Sequence, residues 1–256
     1  IAGQAAGLPI ADLMGGGSRT PVPIASSVGA KTVEETREVL ARYRDRGYWV
    51  HSVKVGGDVD QNIERIQDVE THRPTKERIL YDANRGFTRQ QALRVMQATE
   101  QWKVMFEQPC ETLDDIAAIR PLHSAPVSVD ECLVTLQDAT RVAKEGIAEV
   151  FGIKLNRVGG LTKASRIRDI ALAHGIDIFV MATGGSVLAD TEALHLAATI
   201  PDDNMLGAWA CQDMITAEIA DGSGPRATKG HLHLPEQPGL GVHPQEITLT
   251  KVARYE

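Results

Sequence analysis

The sequence predicts an α/β fold in which eight parallel strands alternate with helices and close into a (β/α)8 TIM-type barrel. Short apolar runs recur about every 25 residues, and each is followed by a segment with helical spacing of its apolar residues. A length of 256 residues suits one barrel domain. An open doubly wound sheet is the main alternative. The sequence contains no G-x-G-x-x-G loop after its first strand and no Walker A motif, so the barrel is favoured.

The predicted strands are short runs rich in apolar and β-branched residues, as expected for strands that are covered on both faces. Most of them stop at a polar or charged residue, which indicates where each strand leaves the sheet. In chain order they span 21–25, 49–55, 79–84, 103–108, 126–131, 150–156, 176–181 and 205–210.

Helix signals fill the gaps between these strands. One helix is expected to begin after Thr32, because Glu34 and Glu35 follow in its first turn. Thr88 and Gln91 have the spacing of a capping box, so a helix is expected to begin after Thr88 and to run to about residue 102. Further helices are predicted at 60–71, 113–122, 136–148, 161–174 and 187–198.

The composition of the chain argues against some classes of binding partner. A net charge of -7 argues against nucleic acid or an anionic membrane surface, both of which favour a basic face. No apolar run approaches the roughly 18 residues that a membrane-spanning helix needs. Cys110, Cys132 and Cys211 form no C-x-x-C pair, so we expect free or buried thiols in a reducing cytoplasm.

Carboxylates stand at the ends of three successive predicted strands: Asp82, Glu107 and Asp130. In a barrel the carboxyl ends of all strands open on one face, so these side chains are expected to meet. Three adjacent carboxylates repel one another unless a cation compensates. Oxygen ligands without histidine favour Mg²⁺ over Zn²⁺ or Fe²⁺. The alternative for any single acid is an N-cap of the following helix.

Two lysines flank the acids. Lys54 ends the second predicted strand and Lys154 lies in the sixth, so the two would approach a bound ligand from opposite sides of an eight-stranded ring. Strand alternation gives Ser52 and Lys54 the same inward orientation. A lysine near another cation can have its pKa lowered towards roughly 7–8, which suits proton transfer. The alternative for either lysine is a solvated strand end or an ion-pair partner.

In these motifs the chain resembles the enolase superfamily, in particular its muconate-lactonizing-enzyme subgroup. The matching residues are Lys54 of the Lys-x-Lys motif, Asp82 and Asn84 of Asp-Ala-Asn, Glu107 of Glu-Gln-Pro, Asp130-Glu131, Lys154 ahead of Arg157-Val158-Gly159-Gly160, and the tail 235–241. The resemblance covers essentially the whole chain. It implies a modified (β/α)7β barrel beside an N-terminal α+β capping domain, and it implies a homo-oligomer.

The resemblance also implies roles for individual residues. Lys54 and Lys154 would be the catalytic acid/base groups, and Asp82, Glu107 and Asp130 the Mg²⁺ ligands. The substrate would be a small carboxylate, either an amino acid or a proline derivative, whose α proton is removed. The residues expected to bind substrate or support these groups are Ser52, Asn84, Glu131 and Trp209. A purely structural core tryptophan is the alternative for the last of them.

Ser52 is a departure from the family pattern, because it stands where the first lysine of Lys-x-Lys is usual. This substitution resembles the branch that acts on proline derivatives, and it implies dehydration of a hydroxyproline-type amino acid. Racemisation or epimerisation of an amino acid, betaine or dipeptide by the same lysine pair is one alternative. A non-catalytic or inactive barrel fragment is another.

A second departure concerns the chain ends. Residues 1–20 are expected to be the remnant of the last helix and linker of a capping domain that is otherwise missing. Residues 21–229 form the predicted catalytic barrel, and residues 230–256 the segment that returns to the capping domain.

Overall fold

The computed structural model describes residues 1–16, 21–182, 184–215, 219–220 and 222–245. Its main feature is an eight-stranded sheet in which every strand pairs in parallel with the next strand along the chain. A separate antiparallel pair joins the first and last short strands. The strands are β1 (Val22–Pro23), β2 (Ala25–Val28), β3 (Val50–Lys54), β4 (Arg78–Asp82), β5 (Met105–Glu107), β6 (Val127–Val129), β7 (Val150–Lys154), β8 (Asp177–Met181), β9 (Met205–Trp209) and β10 (His231–Leu232).

The sheet closes on itself at the meeting of β2 and β9. A parallel bridge joins Ile24, immediately before β2, to Ala208 of β9. Since the strand order follows the chain order from β2 to β9, this closure completes a parallel barrel. The predicted barrel fold is therefore confirmed.

Two short helices precede the barrel, and the other helices follow its strands and cover their outer surface. In chain order the helices are α1 (Ala2–Ala6), α2 (Ile10–Leu13), α3 (Val33–Asp45), α4 (Val59–His72), α5 (Arg89–Ala98), α6 (Leu113–Ile119), α7 (Leu136–Glu145), α8 (Leu155–Val158), α9 (Leu161–Ala173) and α10 (Val187–Ala197). Within the described part of the chain, β9 is followed by a 3-10 turn at Gln212–Met214 and not by an α-helix. This arrangement matches the (β/α)7β pattern that the resemblance implied.

Helix starts are fixed by side-chain caps. Thr32 accepts a hydrogen bond from the Glu35 backbone at 3.1 Å, and Thr88 caps α5 with Gln91 in the same manner. Each such cap stabilises its helix by roughly 0.5–2 kcal/mol, because it satisfies backbone N–H groups that lack partners within the helix. Both predicted helix starts are confirmed.

Alternation along the strands divides the apolar side chains between two cores. One core fills the barrel interior and includes Leu80, Phe179 and Met181. The larger core lies between strands and helices and includes Phe106 and Phe151, both fully buried. Burying each such aromatic side chain contributes roughly 1.5–3 kcal/mol. The interior core fills the barrel below the carboxyl ends of the strands, so the polar side chains lie above it.

The first barrel strand differs from the prediction. It was expected at 21–25 and is found at Ala25–Val28. Pro21 and Pro23 lack the backbone N–H that a central strand must donate, so this stretch cannot pair as an inner barrel strand. Instead β1 pairs at the barrel's edge with His231 and Leu232.

The two ends of the described chain lie against each other. Ile10 N donates to Gly239 O at 3.1 Å, and Gly239 N donates to Leu8 O at 3.0 Å. Parts of the predicted terminal segments, residues 17–20 and 246–256, lie outside the described residues. Their assignment to a capping domain stays a prediction. In the described residues no helix is both long and apolar enough to cross a membrane.

Candidate active site and metal centre

A cavity of about 380 Å³ opens at the carboxyl ends of the barrel strands. One part of its wall is charged and another part is apolar. The lining residues are Ser27, Ser52, Lys54, Asp82, Glu107, Lys154, Phe179, Met181, Ala182, Gly184, Trp209 and Met214. The sequence singled out six of these twelve residues, whereas three further predicted site residues, Asn84, Asp130 and Glu131, are not among those that line the cavity.

Strand register places the first two acids beside the first lysine. Lys54 is the pairing partner of Asp82, and Asp82 is the partner of Glu107, on three neighbouring strands. The partner of Glu107 on β6 is Ser128, and Asp130 follows it by two residues. Because alternate residues of a strand face the same side, Asp130 continues the same inward row. The structure thus brings all three acids to one end of the barrel.

Glu107 is the most deeply placed of the acids. It is 1% exposed, and among the described residues its Oε1 atom has no hydrogen-bond partner. Burial raises the pKa of Glu107 well above its usual range, and the negative charges of Asp82 and Asp130 raise it further. A carboxyl group in this position is well suited to a cation.

Each lysine contacts one acid. The Lys54 Nζ forms an ion pair with Asp82 and donates a hydrogen bond to Asn84 Oδ1 at 2.9 Å. The Lys154 Nζ donates to Asp130 Oδ2 at 2.6 Å. Since β3 and β7 are four strands apart in a ring of eight, the two lysines reach the acids from opposite walls.

Asp130 receives a second cation. Arg157, at the start of the βα connection after β7, pairs with its other carboxylate oxygen. Burial raises the pKa of Asp130, and the positive charges of Lys154 and Arg157 oppose that rise. The sequence showed Arg157 only as part of a motif, because its distance from Asp130 along the chain hides the contact.

The acids provide a donor set that suits Mg²⁺. In the described residues no three His, Cys, Asp or Glu side chains are clustered closely enough to hold a metal ion as they stand, and Asp82 and Asp130 face cationic side chains. The donors are nevertheless all carboxylate oxygens, which Mg²⁺ prefers. The buried Glu107 oxygen without a partner lies between the other two carboxylates in strand order. The residues therefore fit the predicted ion.

Asn84 and Glu131 connect the rim of the site. Asn84 Nδ2 donates to Glu131 Oε1 at 3.1 Å, while its Oδ1 accepts from Lys54. Asn84 has a φ of 44°, in the left-handed region, and its backbone N donates to Asp82 Oδ1 at 2.9 Å. Both residues thus lie next to the predicted ligands and not among them.

Ser52 and Trp209 also line the cavity. Ser52 is buried, faces the cavity, and pairs in register with Ser27 of β2. Trp209 lines the cavity and also packs against the interior core that contains Phe179 and Met181. Trp209 therefore lines the cavity and also contributes to the packing of the core.

Several residues that line the cavity were not predicted from the sequence. Ser27 faces the cavity beside Ser52, and Phe179 and Met181 line its apolar part. A signal for the last two was available, because they alternate along β8 and alternation places them on one face. No pattern marked Ser27, since the predicted first strand ended before it.

Eight parallel strands with acids and opposed lysines at their carboxyl ends are an arrangement suited to proton transfer beside a cation. The sequence comparison gives the family. The family profile described as "Enolase C-terminal domain-like" matches residues 34–248 of the chain. The chain belongs to this family, the enolase superfamily.

One curated relative is the cis-3-hydroxy-L-proline dehydratase of Roseibium aggregatum. It is 31% identical over 100% of this chain and 70% of its own length. Further curated relatives at 26–31% identity are named as epimerases, racemases, cycloisomerases and o-succinylbenzoate synthases. The chain spans 64–70% of the length of these relatives. All of these names are names of enzymes.

Solved structures give the same assignment. A crystal structure from Silicibacter pomeroyi, assigned provisionally to the mandelate racemase/muconate lactonizing enzymes, is 77% identical, with a TM-score of 0.96 over 98% of this chain and 70% of that one. An enolase-superfamily member from Roseovarius nubinhibens ISM, complexed with magnesium, is 39% identical, with a TM-score of 0.96 over 99% of this chain and 70% of that one.

Proposed function

We propose that the protein removes the proton α to a substrate carboxylate with the help of Mg²⁺, and then dehydrates a hydroxyproline-type amino acid. The observation that carries this proposal is the placing of Lys54 and Lys154 on opposite walls of one cavity. Three buried carboxylates lie along the same end of the barrel. Proton transfer at a carbon next to a carboxylate needs a base, an acid and a means to stabilise negative charge.

Asp82, Glu107 and Asp130 would hold the metal ion. When bound, Mg²⁺ supplies positive charge that stabilises the negative charge developing on the substrate carboxylate. The buried position of Glu107 excludes water from the base of the site. Low solvent access strengthens each electrostatic contact that the chain makes there.

The lysines would carry the protons. One Nζ, as the free amine, accepts the α proton while the electrons of that C–H bond form a double bond towards the carbon that bears the hydroxyl. The opposite Nζ donates a proton to the hydroxyl, which leaves as water. The resulting enamine then becomes a cyclic imine by gaining a proton on carbon and losing the proton of its nitrogen. The reaction is balanced, because one proton is taken, one is given and water is lost.

The apolar and hydroxyl-bearing wall would select the substrate. Ser52 offers a buried hydroxyl that can hold the leaving group. The indole of Trp209 lines the cavity, where it can contact the substrate's ammonium group through a cation–π interaction of about 0.5–2 kcal/mol. The dehydratase among the relatives supports this choice of substrate class.

Racemisation or epimerisation is the second candidate, and the opposed lysines favour it directly. If the second lysine returned its proton to the other face of the α carbon, the centre would invert without loss of water. Epimerases and racemases are also among the relatives. The two functions share every residue except those that hold the hydroxyl.

Incubation of the full-length protein with Mg²⁺ in D2O separates these possibilities. Proline, cis-3-hydroxyproline and trans-3-hydroxyproline are followed by proton NMR for exchange at the α carbon and for imine formation. We expect imine from a 3-hydroxyproline. Exchange with inversion and without imine would assign an epimerase. Protein that binds Mg²⁺ yet exchanges no proton of any carboxylate would overturn the proposal.

A further inference from the structure

Gln108 follows Glu107 directly and has an unusual backbone. Its φ is 39°, in the left-handed region, and the residue is fully buried. The backbone N donates to Ser128 O at 2.8 Å, and the backbone O accepts from Arg85 N at 2.9 Å. A non-glycine residue keeps such a conformation only where surrounding contacts hold it there, and strained positions of this kind cluster at functional sites.

The Gln108 side chain makes four hydrogen bonds. Its Oε1 accepts from Asp130 N at 3.1 Å and from Cys132 N at 3.2 Å. Its Nε2 donates to Cys110 O at 3.0 Å and to Cys132 Sγ at 2.8 Å. Backbone N–H groups can only donate and a carbonyl can only accept, so these partners fix the orientation of the amide.

These bonds replace a missing part of the sheet. β6 ends at Val129, so Asp130 lies just beyond the last residue that the strand ladder holds. Gln108 Oε1 is the acceptor for the Asp130 backbone N–H at this point. Through Gln108, the end of β5 therefore sets the position of the residue that also contacts Lys154 and Arg157.

We infer that Gln108 is a positioning residue for the metal site: its amide fixes the Asp130 backbone just beyond the end of β6, and so the place from which the Asp130 carboxylate would act as a metal ligand. This inference rests on the proposed function, because it assumes that Asp130 is a ligand. Partners that orient metal ligands without touching the metal typically contribute 10–100-fold to metal affinity. A merely structural role would change stability and leave the affinity unchanged.

The test is Mg²⁺ titration by calorimetry of the wild-type full-length protein and of Gln108→Met. Methionine has a similar length but makes none of the four bonds. Gln91→Met is the matched control. The Gln91 side chain also accepts a hydrogen bond from a backbone N–H, that of Thr88, but it does so at the solvent-exposed start of α5. We expect Gln108→Met to weaken Mg²⁺ binding by about 10–100-fold. We expect Gln91→Met to bind as the wild type does.

The outcomes are distinct. A wild-type protein that binds no Mg²⁺ would overturn the proposed function itself. A wild type that binds, together with a folded Gln108→Met of unchanged affinity, would overturn only the role of Gln108. If Gln108→Met does not fold, Gln108→Asn decides, since it keeps an amide with a shorter reach: weaker binding supports the inference and unchanged binding overturns it. Failure of both variants to fold would assign Gln108 to stability alone and would also overturn the inference.

Discussion

Two buried glutamates show how differently the two sides of the barrel wall treat charge. Glu107 faces the cavity, has an oxygen without a partner among the described residues, and has a pKa raised by burial and by neighbouring acids. Glu77 lies next to β4 on the outer side. Burial tends to raise its pKa, but two hydrogen bonds from Arg44, at 2.6 and 2.8 Å, and the neighbouring His51 bring the pKa down to about 2.

The two carboxylates therefore have different roles. On the outer side Glu77 is paired with Arg44 and lies beside His51, so its carboxylate stabilises the fold. In the cavity the Glu107 Oε1 atom has no hydrogen-bond partner among the described residues, which costs stability and leaves this oxygen available to a cation.

Lys154→Ala tests the cavity side most directly. Loss of one acid/base group should lower kcat by about 10²–10⁴-fold, because proton transfer by a positioned side chain contributes that much. Mg²⁺ binding should remain, since the three carboxylates are intact. Steady-state kinetics and calorimetry measure the two quantities. Lys144→Ala, on the exposed face of α7, serves as the control, and full activity of Lys154→Ala would show the two-lysine mechanism to be wrong.

Glu107→Gln should have opposite effects on function and on stability. Mg²⁺ affinity should fall by more than the about 10–100-fold that loss of an outer partner costs, because a direct ligand is removed. Without metal the variant should be more stable than the wild type by about 1–3 kcal/mol at pH 7, since the fold disfavours the ionised form of Glu107, as its raised pKa indicates, and a neutral amide carries no such cost. Calorimetric titration and urea unfolding in EDTA measure these changes. A less stable metal-free variant would contradict the contrast with Glu77.

Glu77→Gln, in contrast, should make the folded protein less stable. At pH 7 we expect a loss of about 2 kcal/mol of unfolding free energy, less than the full shift implies because Arg44 is partly exposed. The folded pKa of about 2 lies below the usual 4.5, so the contribution is complete above pH 4.5 and is lost as the pH falls towards 2.

Urea unfolding of wild type and Glu77→Gln between pH 7 and pH 2.5 therefore should give two stability curves that converge on acidification. Glu145→Gln is the control, since its exposed pair with Arg141 contributes only about 0.3–0.5 kcal/mol. A constant difference across the pH range would show that the Arg44 pair does not act through the charge of Glu77.

Ser52→Ala should have the smallest effect. Loss of one hydrogen bond to the leaving hydroxyl corresponds to about 0.5–1.5 kcal/mol, or roughly a two- to tenfold lower kcat/KM for the hydroxylated substrate. Exchange of the α proton of proline, which has no hydroxyl to hold, should not change. Equal losses for both compounds would assign Ser52 to packing of the cavity wall.

The sequence predicted the charged wall better than the apolar wall. Asp82, Glu107 and Lys154 stop or end apolar runs, and such an abrupt change of polarity is visible in one dimension. Ser27 and Met181 differ little from ordinary strand residues, and only the closed barrel shows that they share a cavity with Lys54.

The exact ends of strands and the long-range hydrogen bonds could not be predicted from the sequence either. β5 was expected to run from 103 to 108 and spans only Met105–Glu107, because ladder partners on the neighbouring strands decide where pairing stops. Gln108 was expected to be the last residue of that strand, within a Glu-Gln-Pro motif. Its main partners, Asp130 and Cys132, are 22 and 24 positions away, and only folding brings them together.

The seam between β2 and β9, where the barrel closes, affects how easily the barrel opens locally. In the described residues these strands share one bridge, Ile24–Ala208, whereas β4 pairs along its length with β3 on one side and with β5 on the other. Amide hydrogens of Ala25–Val28 should therefore exchange with solvent faster than those of Arg78–Asp82. Trp209 stands at this seam, so its fluorescence reports the barrel's local breathing beside the substrate cavity.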